Sequence, residues 1–316
     1  MNILSSDIGG TNSRFAYFNL DISGNLNLLD IFEIKTSSVD SFPNLIESLY
    51  KSSFKLNFKE CDIAVFAVAG PIKKKVYCAP PNINWDINLS DAKERFGLRN
   101  CLLINDFVAQ AYACKTDAVS LSQIIKNGEV DPEGTIAVVG AGTGLGHCAL
   151  MPIENKRFIA IPSEASHTPF PFIGNEEKEY ELFILKKIKN VYCEGDMVVS
   201  GRGLSMLHLF LTGEDLSPSE VVSKFVCSQK TLEWFSRFYG RACRNYALSV
   251  IATGGVYVSG GIAAKNPLII RHPAFLEEFI FSSTSNQLLM SIPIFLNTNE
   301  QSGLFGAAFY GNQWVL

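Results

Sequence analysis

Asp7-Ile8-Gly9-Gly10-Thr11-Asn12 interrupts the short apolar runs that lie between Asn2 and Leu20. The pattern predicts a buried strand, a glycine turn and a returning strand over Ser13–Phe18. Adjacent glycines let a backbone come close to a phosphate, and N–H groups in such a turn point at its oxygens. Asp7, near the end of the strand, is placed to hold a Mg²⁺-bound water beside that phosphate, and Thr11 adds a hydroxyl donor. An ordinary hairpin uses the same residues, so the motif needs company.

A second unit of the same kind supplies it. Ile136–Val139 reads as a strand, Gly140-Ala141-Gly142-Thr143-Gly144 as a turn, and His147–Met151 as the return. This is not a P-loop, because no Lys-Ser/Thr follows at the required spacing. Nor is it a dinucleotide fingerprint, whose last glycine would fall on Leu145 or His147. Two such turns, one per half, suit a nucleoside triphosphate held from both sides.

The rest of the chain alternates. Helical spacing marks Ser41–Leu56 (Phe42, Leu45, Ile46 and Leu49 on one face), Asp91–Phe96, Phe107–Cys114, Glu176–Lys189, Arg202–Leu211, Ser219–Val226, Leu232–Ile251 and Gly303–Tyr310. Apolar runs mark strands at Cys61–Ala69, Val76–Ala79, Cys101–Ile104, Gly255–Ser259 and Ile292–Leu296. This order predicts an α/β protein of two related domains with a cleft between them.

Composition narrows the class. The 316 residues are 47% hydrophobic and 18% charged, which excludes disorder. With 27 basic against 31 acidic residues the net charge is −4, too little positive charge to hold a nucleic-acid backbone. Lys73-Lys74-Lys75 reads as a solvated turn. Gly134–Ile153 and Asn245–Ala264 carry no Asp, Glu, Lys or Arg. Their glycines between β-branched runs read as strand–turn–strand, not as membrane spans. The first residues lack a signal-peptide pattern, and the eight cysteines form no CxxC or zinc-spaced cluster. The expectation is a cytoplasmic protein with reduced thiols, no disulfide and no metal ligated directly by the chain.

Three further places carry chemistry. Asp106 follows the apolar Leu102-Leu103-Ile104 and opens a helix. It reads as a helix N-cap, or as a carboxylate that accepts a hydroxyl proton during phosphoryl transfer. Glu164 and His167 lie in a Pro-bounded loop, as solvated surface groups or as ligands for vicinal hydroxyls. Gly260-Gly261 ends the apolar Val256-Tyr257-Val258-Ser259, as a plain strand end or as a place for a flat ring or ribose to lie on the backbone.

Taken in order, the motifs resemble those of the bacterial glucokinase family of the non-zinc type, within the actin-like ATPase and hexokinase superfamily. The residues that carry the resemblance are Asp7–Arg14, Ala67-Val68-Ala69-Gly70-Pro71-Ile72, Asn82-Ile83-Asn84-Trp85, Ile104-Asn105-Asp106-Phe107, Gly140–Gly146, Ser200-Gly201-Arg202-Gly203-Leu204 and Gly254–Ile262. They run nearly end to end.

The resemblance implies transfer of the γ-phosphoryl group of ATP to the 6-hydroxyl of glucose. It implies Asp106 as the base, and Asn105, Glu164, His167 and the residue at Asp196 as sugar ligands. Asp7, Gly9, Gly10, Thr11, Asn12, Gly140, Gly142, Thr143 and Gly144 would hold phosphates, and Gly260 and Gly261 would flank adenosine. Mg²⁺ would arrive with ATP, near Asp7. The fold implied is two RNase H-like domains: a small one from 1–112 plus 302–316 and a large one from 113–301, closing over the sugar. A homo-oligomer, commonly a dimer, is implied as well.

The chain departs from the family at the sugar end. The family has Glu where this chain has Asp196, one methylene shorter, so that contact is lengthened, water-bridged or lost. Ala165 and Ser166 stand where the family favours Gly and restrict the backbone more. The Lys-Gly-Arg common before the last strand is missing between Phe281 and Ile292. A kinase for another hexose, and a catalytically weakened sugar- or nucleotide-binding regulator, are the alternative readings.

Overall fold

The computed structural model describes residues 1–155 and 157–315, in two units: Met1–Ser120 with Glu300–Leu316, and Leu121–Asn299. In the first unit, β1 (Asn2–Ile8) pairs antiparallel with β2 (Asn12–Leu20), and β2 with β3 (Leu26–Lys35). On its other side β1 runs parallel to β4 (Ile63–Val68). Every residue of β4 is buried, as a central strand covered on both faces requires. Helix α1 (Phe42–Lys51) starts where the Ser41 side chain caps Asn44 N–H, and it buries Phe42, Leu45, Ile46 and Leu49. A two-strand ribbon, β5 (Tyr77–Cys78) with β6 (Ile87–Asn88), precedes the short α2 (Ala92–Phe96). Then β7 (Cys101–Asn105) joins β4 in parallel and leads into α3 (Asp106–Ala113). The sheet order is β3-β2-β1-β4-β7.

The C-terminal helix, Ser302–Val315, packs on α3 within this unit. A Cβ at Gly306 would lie 1.8 Å from the Ala109 carbonyl oxygen, so the two helices touch backbone to backbone. Gly306→Ala must push them apart, at a cost of about 1–3 kcal/mol. A fall in the urea midpoint is the expected result, and an unchanged midpoint would refute the contact.

The second unit repeats the plan. Edge strand β8 (Gln123–Lys126) comes first, then β9 (Ile136–Ala141), β10 (Leu145–Ile153) and β11 (Arg157–Ser163) pair antiparallel in succession. Helices α4 (Gly174–Ile188), α5 (Gly195–Val198), α6 (Gly201–Thr212), α7 (Pro218–Ser223) and α8 (Gln229–Val250) follow. Strand β12 (Gly255–Ser259) runs parallel to β9, and β13 (Ile294–Leu296) parallel to β12. Between them lie α9 (Gly261–Lys265), α10 (Leu268–Arg271), α11 (Pro273–Ile280) and α12 (Asn286–Ser291). The sheet order β11-β10-β9-β12-β13-β8 contains the five-strand plan of the first unit with β8 added at one edge. An aromatic layer from α4, α6 and α8 (Tyr180, Phe210, Trp234, Phe238) fills the core of this unit.

Beside the two-residue β6, three strands carry no signal in the sequence pattern: β3, β8 and β11. Each lies at a sheet edge, where exposed side chains dilute the apolar alternation. The uncharged stretch Asn245–Ala264 is not strand–turn–strand as expected. It is the end of α8, strand β12 and the start of α9, because its first residues continue the apolar face of a long helix. Among the described residues, no helix is long and apolar enough to cross a membrane.

Candidate functional site

In the first unit, β1, β4 and β7 are parallel, so their C-terminal ends share one edge of the sheet. That edge is where open α/β sheets bind ligands. Asp7 sits there at the end of β1, and Asn105 and Asp106 sit there at the junction of β7 with α3. Burial pushes the Asp7 carboxyl above its usual range, and Arg14, its cross-strand partner, only partly offsets this. Arg14 is itself shared with Glu33 at 2.9 Å and Glu300 at 3.4 Å. Gly303 faces both Asp7 and Gln110, and Gln110 stands one turn beyond Asp106 on α3. The chain therefore brings Asp7 and the Asp106 face of α3 towards the same point.

The first glycine turn is held from outside. Thr36, just past β3, donates its hydroxyl to Gly9 O at 2.6 Å and its N–H to Thr11 O at 2.9 Å. Gly9 N–H closes the turn on Asn12 O at 3.0 Å. Gly10 and Thr11 remain exposed. Thr36 entered no motif, because its partner turn lies two strands away in sequence.

The structure corrects the reading of Asp106 as a helix cap. The cap is Asn105, whose Oδ1 accepts from Phe107 N–H at 2.9 Å and Val108 N–H at 3.4 Å. Asp106 is the first helical residue, and its Oδ1 accepts the adjacent Phe107 N–H at 3.0 Å. The Asn105 amide nitrogen points to Gly70 O at 3.4 Å.

In the second unit the other glycine turn is a node. Gly142 N–H donates to Gly144 O at 2.7 Å, and Gly201 N–H at the start of α6 donates to Gly142 O at 2.9 Å. The Tyr239 hydroxyl bridges Ala141 N–H (2.9 Å) and Ser259 O (3.3 Å), tying β9 to β12. Gly260 has φ +89°, and a Cβ there would meet Ala141 O at 2.6 Å, so glycine is required by the approach of β12 to this turn. Gly261 opens α9 with free space where a side chain would be. Gly140, Gly142, Thr143, Gly144, Gly260 and Gly261 thus form one cluster.

Glu164 and His167 flank a turn of 3₁₀ helix, Ala165–His167, that follows β11. Both are exposed. Ala165 and Ser166 are not strained by the missing glycines, since neither has positive φ. His167 Nε2 is 3.5 Å from Glu164, and its Nδ1 is 2.8 Å from Glu194. Glu194 was not visible as a site residue, since only the fold brings it to the imidazole. Its hydrogen bond raises the His167 pKa against the opposing effect of burial, and the Asp196 and Glu164 charges add to it. His147, buried on β10, is held down at about 4 by burial and by His167.

Asp196 turns its carboxylate to the second glycine turn, and its charge still acts on His167. Its Oδ1 accepts Leu145 N–H at 2.7 Å, at the end of the second glycine turn, and its Oδ2 is 3.9 Å from Arg202. Among the described residues no group of three or more His, Cys, Asp or Glu is placed to hold a metal ion. The Asp7 carboxylate, destabilised by burial, suits a divalent cation that brings most of its ligands with it as phosphate and water.

The sequence profile of the family described as Glucokinase matches residues 4–314. The chain is similar to the glucokinase of Photorhabdus laumondii subsp. laumondii, 30% identical over 321 residues that cover 98% of this chain and 97% of that one. It is 28% identical over 339 residues to the glucokinase of Nostoc punctiforme, covering 97% of each. Among solved structures, glucokinase from an Antarctic psychrotroph superimposes with a TM-score of 0.82 at 25% identity, covering 99% of both chains.

Proposed function

The chain belongs to the glucokinase family, and from that premise we propose that it transfers the γ-phosphoryl group of ATP to the 6-hydroxyl of glucose with Asp106 as the general base. The observation that carries the assignment is the division of labour at the start of α3. Asn105 supplies the side-chain cap of α3, and Asp106 follows it as the first helical residue, at the C-terminal end of β7 on the ligand-binding edge of the sheet. Asp106 takes the hydroxyl proton as the sugar oxygen bonds to the γ-phosphorus. The bond between that phosphorus and the β–γ bridging oxygen breaks, and ADP leaves.

The two glycine turns, Gly9 to Asn12 and Gly140 to Gly144, bind phosphate oxygens, with Gly10, Thr11 and Thr143 as their exposed residues. Gly260 and Gly261 offer backbone to the nucleoside. Glu164, His167 and Asn105 bind sugar hydroxyls. Asp7 would hold the Mg²⁺ that arrives with ATP, which would supply positive charge against the phosphates.

A coupled assay with a panel of hexoses tests the proposal. Glucose is expected to give ADP formation that needs both sugar and Mg²⁺. Turnover on mannose or an amino sugar in place of glucose would reassign the substrate. Nucleotide binding without transfer to any hexose would reject the kinase reading.

A further inference from the structure

Glu194 is built into its place by backbone. Phe170 N–H donates to Cys193 O at 2.8 Å and Gly195 N–H to Thr168 O at 3.3 Å, a short ladder whose bridge pairs Pro169 with Glu194. This ties the segment after the His167 turn to the segment before α5. Glu194 is the N-cap residue of α5, yet its side chain makes no capping bond. Its carboxylate goes instead to His167 Nδ1 at 2.8 Å. The Glu194 side chain is 19% exposed, against 71% for Glu164. Two residues on, Asp196 accepts Leu145 N–H at 2.7 Å and lies 3.9 Å from Arg202.

We propose that Glu194 is a positioning residue for the sugar site: it receives the His167 Nδ1 proton in a hydrogen bond and presents Nε2, beside Glu164, to a sugar hydroxyl, while Asp196 serves the second glycine turn. The proposal rests on the reading of the chain as a hexose kinase. Which nitrogen of an imidazole carries the proton is set by the hydrogen bond at the other one. A carboxylate at Nδ1 fixes one tautomer and one ring orientation, so less order is lost when sugar binds. It also favours the imidazolium, in which Nε2 donates. Every charged group that faces His167 enters this balance: Glu164 before the turn, Glu194 and Asp196 around the start of α5, and His147 on β10.

Glu194→Gln and Asp196→Asn in the full chain separate the two roles. The readouts are NMR titration of the imidazoles in sugar-free protein, and kcat and KM for glucose and for ATP across pH. In Glu194→Gln, His167 is expected to titrate closer to about 6.5 than in the parent protein. The glucose KM is expected to rise about tenfold, the loss of one charge-assisted hydrogen bond, with the ATP KM within about twofold. In Asp196→Asn the ATP KM is expected to move more than the glucose KM, and His167 less than in Glu194→Gln. Should the Gln variant fail to fold, Glu194→Asp carries the same test. An unshifted His167 and glucose KM without Glu194, or a larger glucose effect from Asp196→Asn, overturns the proposal. A parent protein that phosphorylates no hexose sinks the kinase reading instead, and the imidazole titration still decides whether Glu194 governs His167.

Discussion

Asp106→Ala is expected to lower kcat by about 10²–10⁴-fold, the range of a positioned general base, with little change in stability. The two effects separate because Asn105 supplies the cap of α3 through Phe107 N–H and Val108 N–H. Losing the Asp106 carboxylate removes a bond to the adjacent Phe107 N–H and a favourable charge in the first helical turn, worth about 0.3–1 kcal/mol. Asn105→Ala provides the contrast, because it uncaps the helix at about 1 kcal/mol and also removes a proposed sugar ligand. The check is steady-state turnover of glucose and ATP beside a urea melt of each variant. An Asp106→Ala enzyme with near-parental kcat would sink the base assignment. A large loss of stability in that variant would show that the carboxylate serves the fold.

The largest stability effect is expected at Arg241, on α8. Its side chain is almost fully buried and bonds Glu177 of α4 at 2.5 Å, Glu278 of α11 at 2.8 Å and Pro171 O at 2.8 Å. Arg244, one turn on, shares Glu278 at 2.8 Å. Arg241→Ala leaves Glu177 buried, with the Ile173 N–H at 2.7 Å and the Arg237 side chain at 3.9 Å as its remaining partners. Breaking a buried pair by removing one partner costs about 3–5 kcal/mol. Replacing the whole network with apolar residues would cost far less, so the network is a weak stabiliser but a severe liability when cut.

The pH dependence follows from Glu278. Burial works to raise its pKa, but Arg241 and Arg244 outweigh this and hold it below the usual value. A depressed carboxylate contributes stability above its unfolded pKa, about 4.3, and loses that contribution as pH falls through the folded value. The gap between parent and Arg241→Ala is therefore expected to be widest near neutrality and to narrow below about pH 4. Urea unfolding at both pH values measures it, and a gap that widens in acid would contradict the sign.

Much of the site was legible because glycine and charge are sparse and specific signals. Gly9-Gly10-Thr11 and Gly142-Thr143-Gly144 stand out between apolar strands, and both form the turns expected of them. The edge strands β3, β8 and β11 were not legible, because their pairing is dictated by the neighbouring strand and not by their own half-exposed pattern. Capping was misread by one residue. Asn and Asp are both good caps, and the choice between Asn105 and Asp106 depends on where β7 stops.

By itself the sequence determined the α/β class, the paired glycine turns and the identity of the carboxylates and imidazoles available for chemistry. Those depend on local composition and spacing, which a single chain displays in full. Only the tertiary structure decided which carboxylate meets which partner: Glu194 with His167 through the Pro169 bridge, Asp196 with Leu145 N–H, and Arg241 with Glu177 and Glu278. The contacts of Asp196 and Arg241 join groups tens of residues apart, and at 194 and 196 carboxylates two residues apart turn to different partners. No periodicity records such a choice, because it follows from backbone hydrogen bonds made only after the segments have met.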